Sequence, residues 1–68
     1  MTTGEKIKLK RKEKGLTQER LASMSDLACI TIQQYEGGRR QPQVAQLQKI
    51  ATALDTDVLY FIDLKISE

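Results

Sequence analysis

Residues 16–38, LTQERLASMSDLACITIQQYEGG, limit what this chain can fold into more than any other stretch. They read as two short helices joined by a tight turn. Thr17 is a good N-cap, and Gln18, Glu19 and Arg20 open a helix behind it. Leu21 and Ala22 give that helix a buried side. The apolar pattern breaks at Ser25-Asp26 and resumes at Leu27, Ile32 and Tyr35. Ile32 and Tyr35 lie about one helical turn apart, so both can face a core. Gly37-Gly38 stops the second helix, because glycine takes a left-handed cap without steric cost. Cys29, Ile30, Gln33 and Gln34 then fall on the open side. Uncharged, hydrogen-bonding residues on a short exposed helix suit the major groove of DNA.

The rest of the chain frames this pair. Thr2 and Glu5 stand at capping-box spacing and start a helix that runs to about Lys14, where Gly15 ends it. Pro42 precedes a fourth helix, at a place where its missing N–H costs nothing. That helix carries Val44, Leu47, Ile50, Ala51 and Leu54 as an amphipathic stripe. Asp55 ends it. Asp57 caps a short fifth helix through Val58, Leu59, Phe61 and Ile62. Helix formers dominate and no long run alternates β-branched residues, so the class is all-α. The expected architecture is a compact bundle of five short helices, with the helix-turn-helix made by helices 2 and 3. A single domain over residues 1–63 and a tail over 64–68 account for the 68 residues.

Charge and cysteine usage narrow the function. Residues 1–50 hold ten Lys or Arg against five Asp or Glu, a balance of +5. Residues 51–68 hold Lys65 against four acids, a balance of −3, within a net charge of +2. A basic front and an acidic tail suit one face on a polyanion. The single cysteine cannot form an internal disulfide, which points to a reducing compartment. No signal peptide is expected, and the longest apolar segment, Val58–Ile62, is too short to span a bilayer. A cytoplasmic protein with no membrane partner follows. With no histidine, no phosphate-binding glycine loop and no metal-ligand cluster, the chain reads as neither an enzyme nor a cofactor-binding protein.

The ordered set Gly15-Leu16-Thr17-Gln18-Glu19, Leu21-Ala22, Ser25, Leu27, Thr31-Ile32, Tyr35-Glu36, Gly38, Arg40 and Pro42, continued by Leu47, Lys49-Ile50-Ala51 and Leu54, resembles the Xre/Cro/lambda-repressor-like helix-turn-helix family. The resemblance covers residues 4 to 63. It implies that Gln18 contacts a phosphate and braces the first residue of the recognition helix, that Gln34 reads a base, and that Glu36 pairs with Arg11 to join helices 1 and 3. Gln34 could bond adenine N6 and N7 bidentately. Gln33 would meet bases or backbone, Thr31 a phosphate, and Cys29 and Ile30 thymine methyls. Thr17 lies at the same face, and Arg39 and Arg40 are the best candidates for phosphate contacts. Three departures from the family stand out. Asp26 and Asp55 replace glycine at turns, Ala28 replaces a capping hydroxyl, and Lys10 stands where an apolar residue is usual. Lys10 either lays its stem over the core or marks a slightly rotated helix.

These residues imply a sequence-specific DNA-binding transcriptional regulator, a repressor that covers a near-palindromic operator as a dimer. Tyr60, Leu64 and Ile66 are apolar residues with little chain left to cover them, and they are the expected dimer interface. The alternative is an antitoxin-type or other protein-interaction module on the same fold, with a toxin or an anti-repressor as its partner.

Overall fold

A computed structural model describes residues 1–62. The order is α1 (Thr3–Glu13), α2 (Gln18–Met24), α3 (Cys29–Glu36), α4 (Val44–Ala53) and a 3-10 turn, Val58–Tyr60. Among the described residues there is no strand. α1 opens on a full capping box. The Thr2 hydroxyl accepts from the Glu5 N–H at 3.1 Å, and the Glu5 carboxylate accepts from the Thr2 N–H at 2.8 Å. That backbone donor, with the Thr2 hydroxyl, holds the Glu5 carboxyl below its ordinary pKa.

The fifth element is tighter than an α-helix. Tyr60 N–H bonds to the Asp57 carbonyl and Phe61 N–H to that of Val58, an i→i+3 pattern. Asp57 caps it by accepting from Leu59 N–H at 2.9 Å. One such turn suffices to drop Phe61 into the core.

That core consists of Ile7, Leu21, Ala22, Ile32, Tyr35, Leu47, Ile50, Ala51, Leu54 and Phe61. Each helix contributes its own stripe. In α4 the stripe starts at Leu47, because Val44 in the first turn is exposed. In α1 the buried residues are Gly4, Ile7 and Arg11. Lys10 is half-buried, its ammonium 4.9 Å above the Tyr60 ring, with Lys6 at 5.6 Å from the same ring. The stem-over-core arrangement is therefore the one present, with cation–π contact at its end. Leu9 takes the exposed side.

Two turns run through left-handed aspartates. Asp26 has φ of 57° and Asp55 φ of 55°, the conformation that glycine adopts freely and aspartate tolerates. Of the Gly37-Gly38 pair, only Gly38 is left-handed, at φ 78°. Gly37 continues the right-handed turn as the C-cap of α3.

Candidate nucleic-acid interface

α3 is held from behind by a charged cluster. Arg11 donates from Nε to Glu36 Oε2 at 2.7 Å and from Nη2 to Oε1 at 3.1 Å, a bidentate pair. Its Nη1 donates to the Leu16 carbonyl at 2.7 Å, tying in the α1–α2 loop. The two side chains are 11% and 4% exposed, so neither charge could stand buried without the other. The pair also answers a local problem, since Glu36 lies at the negative end of the α3 dipole.

Gln18 joins the same cluster. Its Nε2 donates to Glu36 Oε1 at 3.0 Å. α1, α2 and α3 thus meet at one carboxylate. The amide keeps a second N–H, and its half-buried place at the start of α2 leaves that donor for an outside acceptor.

On the front of α3, Ile30 is 58% exposed, Gln33 is exposed, and Cys29, Thr31 and Gln34 are half-buried. Gln33 Nε2 lies 3.8 Å from Cys29 Sγ, a weak contact that folds the amide back along the helix. Ala28 gives the helix no side-chain cap, and the helix begins at Cys29. Thr17 spends its hydroxyl on α2, accepting from Arg20 N–H at 3.0 Å. A recess of about 320 Å³ opens on this face, lined by Ile30, Gln33, Gln34, Gly37 and Arg39.

The loop after α3 is anchored on one residue. The N–H groups of Arg39 and Arg40 both bond to the Gln34 carbonyl, at 2.9 and 3.3 Å. Arg40 Nη1 then reaches the Gln34 side-chain Oε1 at 3.5 Å. Arg39 and Arg40 are both exposed.

The structure thus brings Ile30, Gln33, Gln34 and Arg40 onto one ridge, with Arg39 lining the recess, while Cys29 packs partly against the core. It sets Gln18 on Glu36 instead of on the first residue of α3. Tyr60 is half-buried beneath Lys6 and Lys10, and its ring meets Phe61 edge-on at 5.2 Å. Leu64 and Ile66 lie outside the described residues. Leu59, 57% exposed, is the bare apolar side chain of the 3-10 turn.

Sequence reasoning passed over two residues here. Gly37 reads only as part of a helix stop, yet it lines the recess, and a Cβ on it would come 3.2 Å from the Gln33 carbonyl oxygen. Ser25 is buried with its hydroxyl unpartnered, and nothing local to Ser25-Asp26 marks that burial. A second recess, of about 510 Å³, lies between the end of α2 and α4 and holds none of the candidate residues. Among the described residues there is no cluster of three metal-ligating side chains, and no helix is long and apolar enough to cross a membrane.

Two helices set across a tight turn, the second presenting an uncharged polar ridge with arginines at its end, define a helix-turn-helix protein of the repressor type. The helix-turn-helix family model matches residues 7–61. The restriction-modification controller protein C.AhdI of Aeromonas hydrophila is 33% identical, with a TM-score of 0.85 over 88% of this chain and 91% of that one. The master regulator for biofilm formation SinR, solved in complex with DNA, is 30% identical, with a TM-score of 0.87 over 91% of this chain and 100% of that one. A SinR structure of this kind comes from Bacillus subtilis. The P22 c2 repressor, solved with a synthetic operator, is 25% identical, with a TM-score of 0.87 over 93% and 96% of the two chains. No curated protein sequence matches the chain. The chain belongs to the Xre/lambda-repressor-like helix-turn-helix family of DNA-binding transcription regulators.

Proposed function

We propose that this chain represses transcription by binding a near-palindromic DNA operator as a dimer. One observation carries the reading. The polar ridge of α3 stands free while its back is clamped to α1 and α2 through Glu36. A rigid ridge on a single helix enters a major groove, and Gln33 and Gln34 meet base edges there. Cys29 and Ile30 pack on thymine methyls. Thr17, Gln18 and Thr31 approach the backbone, and Arg39 and Arg40 supply charge to phosphates. The DNA-bound structures of SinR and the P22 c2 repressor support this use of the fold.

A dimer sets two such ridges about one helical turn, roughly 34–36 Å, apart. Leu59, with Leu64 and Ile66 outside the described residues, supplies the pairing surface, in place of Tyr60, whose ring is covered by Lys6 and Lys10. The protein acts by occupancy in the cytoplasm and needs no cofactor. Selection of bound duplexes from a random-sequence pool tests the reading. It should return a pseudo-palindrome with two equivalent half-sites, whereas a pool left unenriched contradicts it.

A chain of the SinR protein/SinI protein complex is 30% identical to this one, over 96% of this chain and 64% of that one. That supports a second role, in which a partner protein such as a toxin or anti-repressor controls this one.

A further inference from the structure

We infer that the surface around the 3-10 turn is complementary to itself, Asp57 of one protomer meeting the partner's Lys6 and Lys10 across Leu59. The inference rests on the dimer reading and names the charges that orient the two copies.

Leu59 is the centre of this surface. It is 57% exposed, although its neighbours in the turn, Val58 and Tyr60, pack against the core. A bare leucine would pair in many orientations, because apolar contact has no direction. Direction comes from the groups on either side of it.

At the start of the turn stands Asp57, which is exposed. Its Oδ1 accepts from the Leu59 N–H at 2.9 Å. That bond fixes the carboxylate beside Leu59 and leaves its other oxygen for an outside donor. At the far end is Tyr60, with the Lys10 ammonium 4.9 Å and the Lys6 ammonium 5.6 Å from the centre of its ring. Thr3 Oγ1 donates to the Phe61 carbonyl at 3.3 Å, which moors this end of the turn to the first turn of α1. The two lysines, about one helical turn apart, are thereby held against the turn at the end away from Asp57.

The order along the turn is acid, leucine, base. A two-fold axis at Leu59 reverses that order in the second copy. Each acid then faces the partner's base, the two leucines meet between them, and every contact is made twice. The site also relieves a local excess of charge. Two ammonium groups share one ring, and among the described residues only Lys10 has an ion-pair partner, Glu13 at 3.4 Å. A carboxylate from a second copy answers that crowding, whereas two basic ends brought together would oppose pairing.

Sedimentation of the full chain on its selected duplex reads how tightly the second protomer joins the first. Lys6→Glu combined with Lys10→Glu, and separately Asp57→Lys, should each weaken pairing by about tenfold. An equal mixture of these two proteins should recover pairing to within about threefold of the wild type, because each carries the charge that the other needs. Asp57→Asn keeps a capping side chain at the turn and removes only the charge. It should weaken pairing by about threefold, and it decides alone if circular dichroism shows Asp57→Lys to be unfolded. A mixture of folded variants that pairs no better than its components overturns the inference and leaves the dimer reading standing. So does Asp57→Asn that pairs like the wild type. A wild type that occupies the duplex as a single protomer removes the dimer reading, and the inference with it.

Discussion

Gly4 lies so close to the end of α3 that a Cβ on it would overlap the carbonyl oxygen of Tyr35, with the Glu36 carbonyl oxygen 3.1 Å away. α1 can approach α3 this closely only because position 4 has no side chain. The approach sets the distance across which Arg11 reaches Glu36. Gly4→Ala must push the helices apart, and overpacking of this kind costs about 1–3 kcal/mol. Urea denaturation should show that loss although alanine is the better helix former. An unchanged midpoint would mean the helices separate freely.

Arg11→Ala should destabilise the fold by about 3–5 kcal/mol, because it strands the Glu36 carboxylate at 4% exposure. At roughly 0.05–0.15 kcal/mol per residue the whole protein is held by only about 3–10 kcal/mol, so the variant should lose a large fraction of its stability and melt well below the wild type. Arg11→Met combined with Glu36→Leu should lose much less than Arg11→Ala, since no charge is left buried. Thermal unfolding of the three proteins checks both statements. A loss below about 1 kcal/mol in Arg11→Ala would place the pair with solvated ones.

Asp26 and Asp55 both pair a left-handed backbone with a negative charge just past a helix C-terminus. Each feature is unfavourable. Glycine at either site relieves both and gives back part of the gain as unfolded-state entropy. Asp55→Gly should stabilise by up to about 1 kcal/mol and raise Tm by a few degrees, as should Asp26→Gly. Calorimetry showing a lower Tm for both would contradict this account of the turns.

In the proposed DNA-binding reading, Arg39 supplies charge alone. It is exposed, beside the recess. Arg39→Ala should weaken all duplexes alike and lower the salt slope by about one unit, with base preferences intact. Titrations at several salt concentrations read both quantities. Altered preference at a single base pair would show that it reaches a base.

Much of the fold could be read along the chain because its cues are local. Thr2 and Glu5 make their box within one turn, and Leu47, Ile50, Ala51 and Leu54 repeat at helical spacing. On α3 the same periodicity picks out Ile30 and Gln33, which are exposed, but Cys29 and Gln34 are half-buried, and Cys29 also packs against the core. What escaped depends on contacts between distant segments. Gly4 in a first helical turn gives no sign that a backbone 31 residues later needs its space. Gln18 at a helix start fits a phosphate, a neighbouring side chain or a carboxylate equally well, and only the packed helices select Glu36. Arg40 meets Gln34 because the loop doubles back at Gly38, a reversal whose sense the pair Gly37-Gly38 does not disclose. The fifth helix shrank to a 3-10 turn because one turn already delivers Phe61 to the core.

The central claim is that α3 reads sequence. Equilibrium binding to the selected duplex and to an unrelated duplex of the same length, at one physiological salt concentration, tests it most directly. The wild type should prefer the selected duplex by at least about 10³-fold, and Gln34→Ala should lose about ten- to a hundredfold of that preference while binding the unrelated duplex as before. Equal affinity of the wild type for the two duplexes would contradict the claim.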